Sequence, residues 1–334
     1  MIFSFAITLC SAWVLGALSF AQSAENPDVT AIEWGDISNA SVSAPFLDAR
    51  DDPRFSTQII YGHTDLPLVP ILMNAVDLTA QYATMTFFGR AKTRYGPVLP
   101  GFPEVEIAVI PARPATSVEV RLVIWTIYCT MVDMILRKMF KEMEVEIKWE
   151  EKTVGYVYFT KPKESSTMSD ESRGFSLPSL QSTAEPSGLA NMSASQSYVE
   201  SGQFSWLPSF RPEGKSLSQR DVFVLTIGIL KAVARFSMAD KVEGPFHVGS
   251  EIVDAHLEVQ PQGRRTPQTR PPYFQYDHIV ETVRRIPGWM LSKKKFAEFG
   301  GFIIVNDRPV GQLYLLKGPF RPESKAPDVN ISSS

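Results

Sequence analysis

The chain has 334 residues, 44% apolar and 21% charged, with a formal net charge of -3. That is enough apolar material for one large core or two moderate ones, which excludes wholesale disorder. The mildly acidic balance lacks the basic footprint that a nucleic-acid partner requires.

Residues Ile2 to Phe20 form an apolar run leading to Ser19-Phe20-Ala21, whose small residues fit the -3 and -1 positions of a signal-peptidase site. A signal peptide over 1–21 is therefore expected, and with it secretion. The alternative is an anchor that holds the rest of the chain outside a membrane. Three of the six asparagines, Asn39, Asn191 and Asn330, open Asn-X-Ser sequons and are the candidate glycosylation sites. Cleavage removes Cys10 and leaves Cys129 as the only thiol, so no intramolecular disulfide is expected.

Residues 22–65 read as an irregular segment with one short strand. A first α+β repeat follows over 66–163. Leu68, Ile71, Leu72, Ala75, Val76 and Tyr82 predict a helix over Leu68 to Ala83. Thr116-Ser-Val-Glu119 offers a capping box for a second helix over Val118 to Met143. Alternation predicts strands at Val145 to Trp149 and Val154 to Phe159. Residues 164–203 carry five acidic residues and one basic residue in a Ser-rich background and read as a disordered linker.

The second α+β repeat occupies 204–320, before a tail over 321–334 that is expected to be disordered. Ser218 is placed to cap a helix over Asp221 to Met238, striped by Val222, Leu225, Ile229 and Val233. Another helix begins near Asp277 and meets Pro287-Gly288, which ends or kinks it.

The two repeats align without a gap over their closing segments, and small loop insertions account for a different offset upstream. A shift of 156 residues lays Ile147 to Lys161 on Ile303 to Lys317, with Ile, Val, Gly, Tyr and Lys identical. Upstream, Val109-Ile-Pro111 is echoed by Val259-Gln-Pro261 at a shift of 150. The expected fold class is α+β, an internal duplication of a helix-hairpin-helix-hairpin unit. Its two copies pack on each other as a pseudo-twofold pair with antiparallel sheet. Residues 22–163 hold 14 basic and 18 acidic residues, and 204–334 hold 18 and 13. The copies thus carry opposite charge, which assists their meeting.

No nucleophile elbow, phosphate loop, zinc motif or dinucleotide fingerprint occurs. Nothing calls for a cofactor or a metal. The weak catalytic candidates are Asp254, His256 and Glu258, whose alternation puts them on one face of a strand, where a carboxylate can orient an imidazole. The other reading is the wet face of an amphipathic strand, since Glu104, Glu106 and Ala108 hold the matching positions in the first repeat. Asp48, Asp51 and Asp52 form an acidic loop. Basic clusters at Arg90, Lys92 and Arg94, at Arg264, Arg265 and Arg270, and at Lys293 to Lys295 suit an anionic glycan, a membrane surface or the acidic half.

At Val109-Ile-Pro-Ala-Arg-Pro114, Arg121, Ile124-Trp125 and Val154-Gly-Tyr-Val-Tyr158, the chain resembles a group of uncharacterised signal-bearing proteins of filamentous fungi. The resemblance implies a secreted compartment and carries no activity or catalytic residue with it. The function expected is that of a secreted, non-catalytic binding or interaction protein, engaging an extracellular partner or glycan. The alternatives are a carboxylate-based extracellular hydrolase acting on polysaccharide, and a membrane-anchored extracellular domain.

Overall fold

The computed structural model describes residues 52–92, 94–95, 98–162, 204–250, 252–262 and 271–318. The expected signal peptide, the linker, the tail, Cys10 and the sequons at Asn39, Asn191 and Asn330 lie outside them. In chain order the first half runs β1 (Phe55–Asp65), α1 (Leu68–Ala83), β2 (Arg90–Lys92), β3 (Arg94–Tyr95), β4 (Glu106–Pro111), β5 (Ser117–Glu119), α2 (Val120–Arg137), β6 (Lys141–Trp149) and β7 (Lys152–Thr160). The second half runs β8 (Phe204–Phe210), α3 (Gln219–Val233), β9 (Phe246–Ser250), β10 (Val253–Pro261), α4 (Tyr276–Val283), α5 (Ile286–Ser292), β11 (Phe299–Val305) and β12 (Arg308–Lys317).

Two five-stranded antiparallel sheets result, ordered β1-β6-β7-β4-β3 and β8-β11-β12-β10-β9. Each strand of one sheet has a counterpart at the same place in the other. The match extends to register, because Ile147 faces Gly155 and Ile303 faces Gly311, with a bulge just after the isoleucine in both hairpins. Both hairpins turn through two positive-φ residues, Glu150-Glu151 and Asn306-Asp307, the geometry of a type I′ turn. Both second helices end on a left-handed lysine, Lys138 or Lys294. The following N–H reaches back to Met134 or Met290, as in a Schellman cap.

Three expectations change. Each half opens on a strand, so the order is strand, helix, strands, helix, hairpin rather than helix-hairpin-helix-hairpin. β1 spans eleven residues and pairs with β6 from Phe55↔Trp149 to Tyr61↔Met143, so the first half begins within the segment read as irregular. Its outward positions are largely polar, as suits an edge strand. The second change concerns Thr116, which starts no helix. Ser117–Glu119 pairs with Arg90–Lys92, and α2 starts at Val120 with no side-chain cap. The N–H groups of Val120 and Arg121 donate instead to the carbonyls of Gly89 and Phe87, at 2.9 and 3.1 Å. The loop before β2 thereby satisfies the helix start.

Third, α2 and α3 stop short of their expected ends: α2 ends at Arg137 rather than Met143, because Lys138 turns left-handed and Lys141 to Met143 already belong to β6, and α3 ends at Val233 rather than Met238. Ser218 Oγ accepts the Asp221 N–H at 3.0 Å, and the helix that begins near Asp277 is interrupted between α4 and α5, with Pro287 in the first turn of α5. The helices of each half cover one face of its sheet, and α3 packs on both α1 and α2. Gly228 brings α3 close to the Tyr128 ring, over which Lys231 Nζ sits at 4.0 Å. Buried residues of both halves, from Ile71, Leu72 and Ile127 to Leu225, Ile229 and Ile303, join in one apolar core. α2 is buried almost all round because it meets a sheet on one side and helices on the other.

Candidate functional site

Each half carries a cleft between its edge strand and its second helix. In the first half Thr57, Ile59 and Tyr61 of β1 face Cys129, Asp133, Leu136 and Arg137 of α2 across about 390 Å³. In the second half Trp206, Pro208 and Phe210 of β8 face Trp289 and Ser292 of α5, flanked by Arg285 and Lys293, across an open cleft of about 750 Å³. The register makes these positions equivalent. Thr57 pairs with Ile147 and Trp206 with Ile303, while the shared helix caps lay Cys129, Asp133, Leu136 and Arg137 on Arg285, Trp289, Ser292 and Lys293. One architectural position has therefore received two linings.

The first lining is self-contained. The Tyr61 hydroxyl donates to Asp133 at 2.7 Å, and Arg137 donates to the same carboxylate at 2.8 Å. Burial, then the bond to Asp133, pushes the Tyr61 phenol above its usual range. The side chain of Cys129 is half-buried among them. The single carboxylate in this lining is thus engaged twice, by Tyr61 and by Arg137.

The second lining is aromatic and cationic. Phe210 stacks on Trp289 with centroids 4.4 Å apart, and Trp206 meets Trp289 edge-on at 5.7 Å. Lys295 Nζ lies 4.6 Å from the Phe210 centroid, and Arg285 lies 5.0 Å from that of Phe204, both within cation-π range. Gly301 makes this lining possible, because a Cβ there would stand 2.7 Å from Trp206 Nε1.

The expected strand-face triad is only partly assembled. His256 Nε2 lies 3.3 Å and His247 Nδ1 3.8 Å from Glu258 Oε1, and His256 Nδ1 lies 2.8 Å from the Gly318 carbonyl oxygen. Burial lowers the affinity of His256 for its proton, but Glu258 and the Gly318 carbonyl outweigh it and the pKa is raised. Asp254 stands apart: its side chain is exposed, the register shifts between Val253 and His256, and its carbonyl accepts the Gly318 N–H at 3.1 Å. His256 and Glu258 are 8% and 6% exposed, so substrate has little access to the pair. Glu298, also buried, accepts the N–H groups of Lys215 and Lys317 at 3.1 and 2.9 Å and ties chain segments together. Asp52, of the acidic loop, binds Arg54 at 2.9 Å.

Sequence reasoning missed the outward face of the first sheet, where Glu144 and Glu146 alternate along β6. Burial, then repulsion from Glu146, raises the Glu144 carboxyl. Hydrogen bonds from Thr153 and Lys148 hold Glu146 in the charged form. It also missed both clefts, although the cluster at Lys293 to Lys295 lies beside one of them. The period-two spacing of Phe204, Trp206 and Phe210 was the available signal.

No family model and no curated protein matches the chain. Among solved structures, the tandem DUF26 ectodomains of the Arabidopsis thaliana cysteine-rich receptor-like proteins PDLP5 and PDLP8 align at 10% and 6% identity. Each alignment covers 78% of this chain, and 98% and 96% of theirs, at TM-scores of 0.20 and 0.22. At those scores nothing carries over from them. No helix among the described residues is long and apolar enough to cross a membrane.

Proposed function

We propose that this chain is a secreted, non-catalytic binding protein, formed by tandem duplication of one strand-helix-sheet-helix-hairpin unit, which engages its ligand in the cleft between β8 and α5. The observation that carries the reading is the contrast between equivalent positions. Register, turn and helix cap are shared by the two halves, while Thr57, Tyr61, Cys129 and Asp133 are replaced by Trp206, Phe210, Arg285 and Trp289. Aromatic and arginine side chains half-open to solvent are the residue types that dominate recognition sites. The apolar leader and the sequons support export.

The test is to secrete the protein from a eukaryotic host, read the mature N-terminus by mass spectrometry, and incubate the product with soluble and insoluble polysaccharides. The expected result is a chain beginning at Gln22 that co-sediments with a polymer without releasing reducing ends, and that Trp289→Ala weakens. Release of reducing ends that Glu258→Gln abolishes would replace this reading with the hydrolase. An intact Met1 would replace secretion with anchoring.

A further inference from the structure

We infer that the cleft between β8 and α5 binds an acidic oligosaccharide, with pyranose rings against Trp206 and Trp289 and carboxylates paired with Arg285, Lys293 and Lys295. This rests on the binding reading above and assigns its ligand class. Three observations on the second half converge on it.

The first is charge. From Glu281 to Lys295 the chain carries five cations, Arg284, Arg285 and Lys293 to Lys295, against the single carboxylate of Glu281. Glu281 is shared by Arg284 and Arg285 at 3.0 and 3.3 Å. No ion pair among the described residues neutralises Lys293, Lys294 or Lys295, which are exposed. The equivalent stretch of the first half, Trp125 to Met139, has only Arg137 and Lys138 as cations, and Arg137 is already held by Asp133. Unneutralised cations around one cleft concentrate anions there.

The second observation is the aromatic floor. Trp206, Phe210 and Trp289 are half-exposed, and flat rings of this kind offer an apolar face to the C–H side of a sugar. A free phosphate or a simple acid has no use for such a surface. The cleft is open as well as large, which suits a polymer passing through it.

The third observation argues against a peptide as the acidic ligand. The free edge of β8 is the place where an extended peptide would add as another strand. Pro208 stands in the middle of β8 and lacks the N–H that such pairing needs, a common device on exposed sheet edges. Rings and cations remain as the means of recognition.

The experiment is isothermal titration of the mature chain with three probes. Hexagalacturonate has rings and charges, its fully methyl-esterified form has rings alone, and hexaglutamate has charges alone. Hexagalacturonate is expected to bind about tenfold or more tighter than either of the others. The double variant Lys293→Glu/Lys295→Glu should lose about tenfold or more of that affinity with a thermal melt little changed, since both side chains are exposed and the fold gives up only the contact of Lys295 with the Phe210 ring. Trp289→Ala should weaken binding too, but Trp289 packs on Phe210 and Phe299, so the lysine variant decides. Equal binding of the methyl ester would overturn the acidic assignment and leave the binding-protein reading standing. Equal binding of hexaglutamate would overturn the oligosaccharide assignment, and indifference to the lysine reversal would overturn the pairing of its carboxylates with Lys293 and Lys295. Silence with all three probes would overturn the inference, while co-sedimentation with other polymers would still uphold the binding reading.

Discussion

His278 gives the most direct test of the packing. Its ring lies parallel to Phe204 and Phe274, at centroid separations of 5.9 and 6.3 Å, and Nδ1 accepts the Gln275 N–H at 3.1 Å. The residue is 4% exposed, and burial pushes its pKa from 6.5 down to about 4. In the fold the imidazole is neutral, whereas in the unfolded chain it gains a proton below pH 6.5. The unfolded state therefore binds more protons between pH 6.5 and 4, and stability falls as pH drops through that window. Linkage puts the loss between pH 7 and pH 4.5 at roughly 2.5 kcal/mol. Asp277, whose carboxyl is raised by burial and by Glu281, contributes with the opposite sign at the acidic end, so the comparison needs a variant. His278→Gln keeps an acceptor for the Gln275 N–H and cannot titrate. Urea unfolding at the two pH values, followed by tryptophan fluorescence, should show the wild type losing roughly 2.5 kcal/mol more than the variant. Parallel profiles, or an NMR titration of His278 near 6.5, would refute the reasoning.

Three other comparisons probe the frame. Gly311→Ala would place a Cβ 2.8 Å from Cζ of the buried Phe274 ring, whereas Gly155→Ala meets the Ile110 carbonyl at 3.2 Å. The first should cost about 1–3 kcal/mol and the second less, and thermal melts in the reverse order would contradict the close approach. Glu150 and Glu151 hold φ values of 50° and 63°, so the pair Glu150→Asn/Glu151→Gly should gain about 1 kcal/mol in chemical denaturation. Ser218→Ala should cost about 1 kcal/mol and Ser218→Asp should cost little; equal losses would mean that the cap does not act through its oxygen.

The hairpins at Ile147 and Ile303 were legible because side-chain alternation and the shared glycine fix a register, and the structure repeats the 156-residue shift through turn, bulge and helix cap. α1 was legible for a similar reason, an apolar stripe over Leu68 to Ala83. β1 was hard to see because its outward side chains are exposed and its pattern breaks near Asp65. Thr116 misled because local capping chemistry says nothing of a loop 30 residues away that supplies the acceptors. The strand face at His256 predicted the meeting with Glu258, but not His247, which arrives from β9. The clefts were illegible because each joins a strand to a helix more than 60 residues later. Only folding makes Trp206 and Trp289 neighbours.

The contact of α3 with α1 and α2 has a consequence for how the chain is held together. An apolar interface of this kind between separate chains would make stability rise with protein concentration. Carrying both partners on one polypeptide fixes their effective concentration and removes that dependence. The peptide bonds between 163 and 203 then serve assembly more than maintenance. A protease cut in that stretch should leave two fragments that elute together, and co-expressed halves should find each other without it.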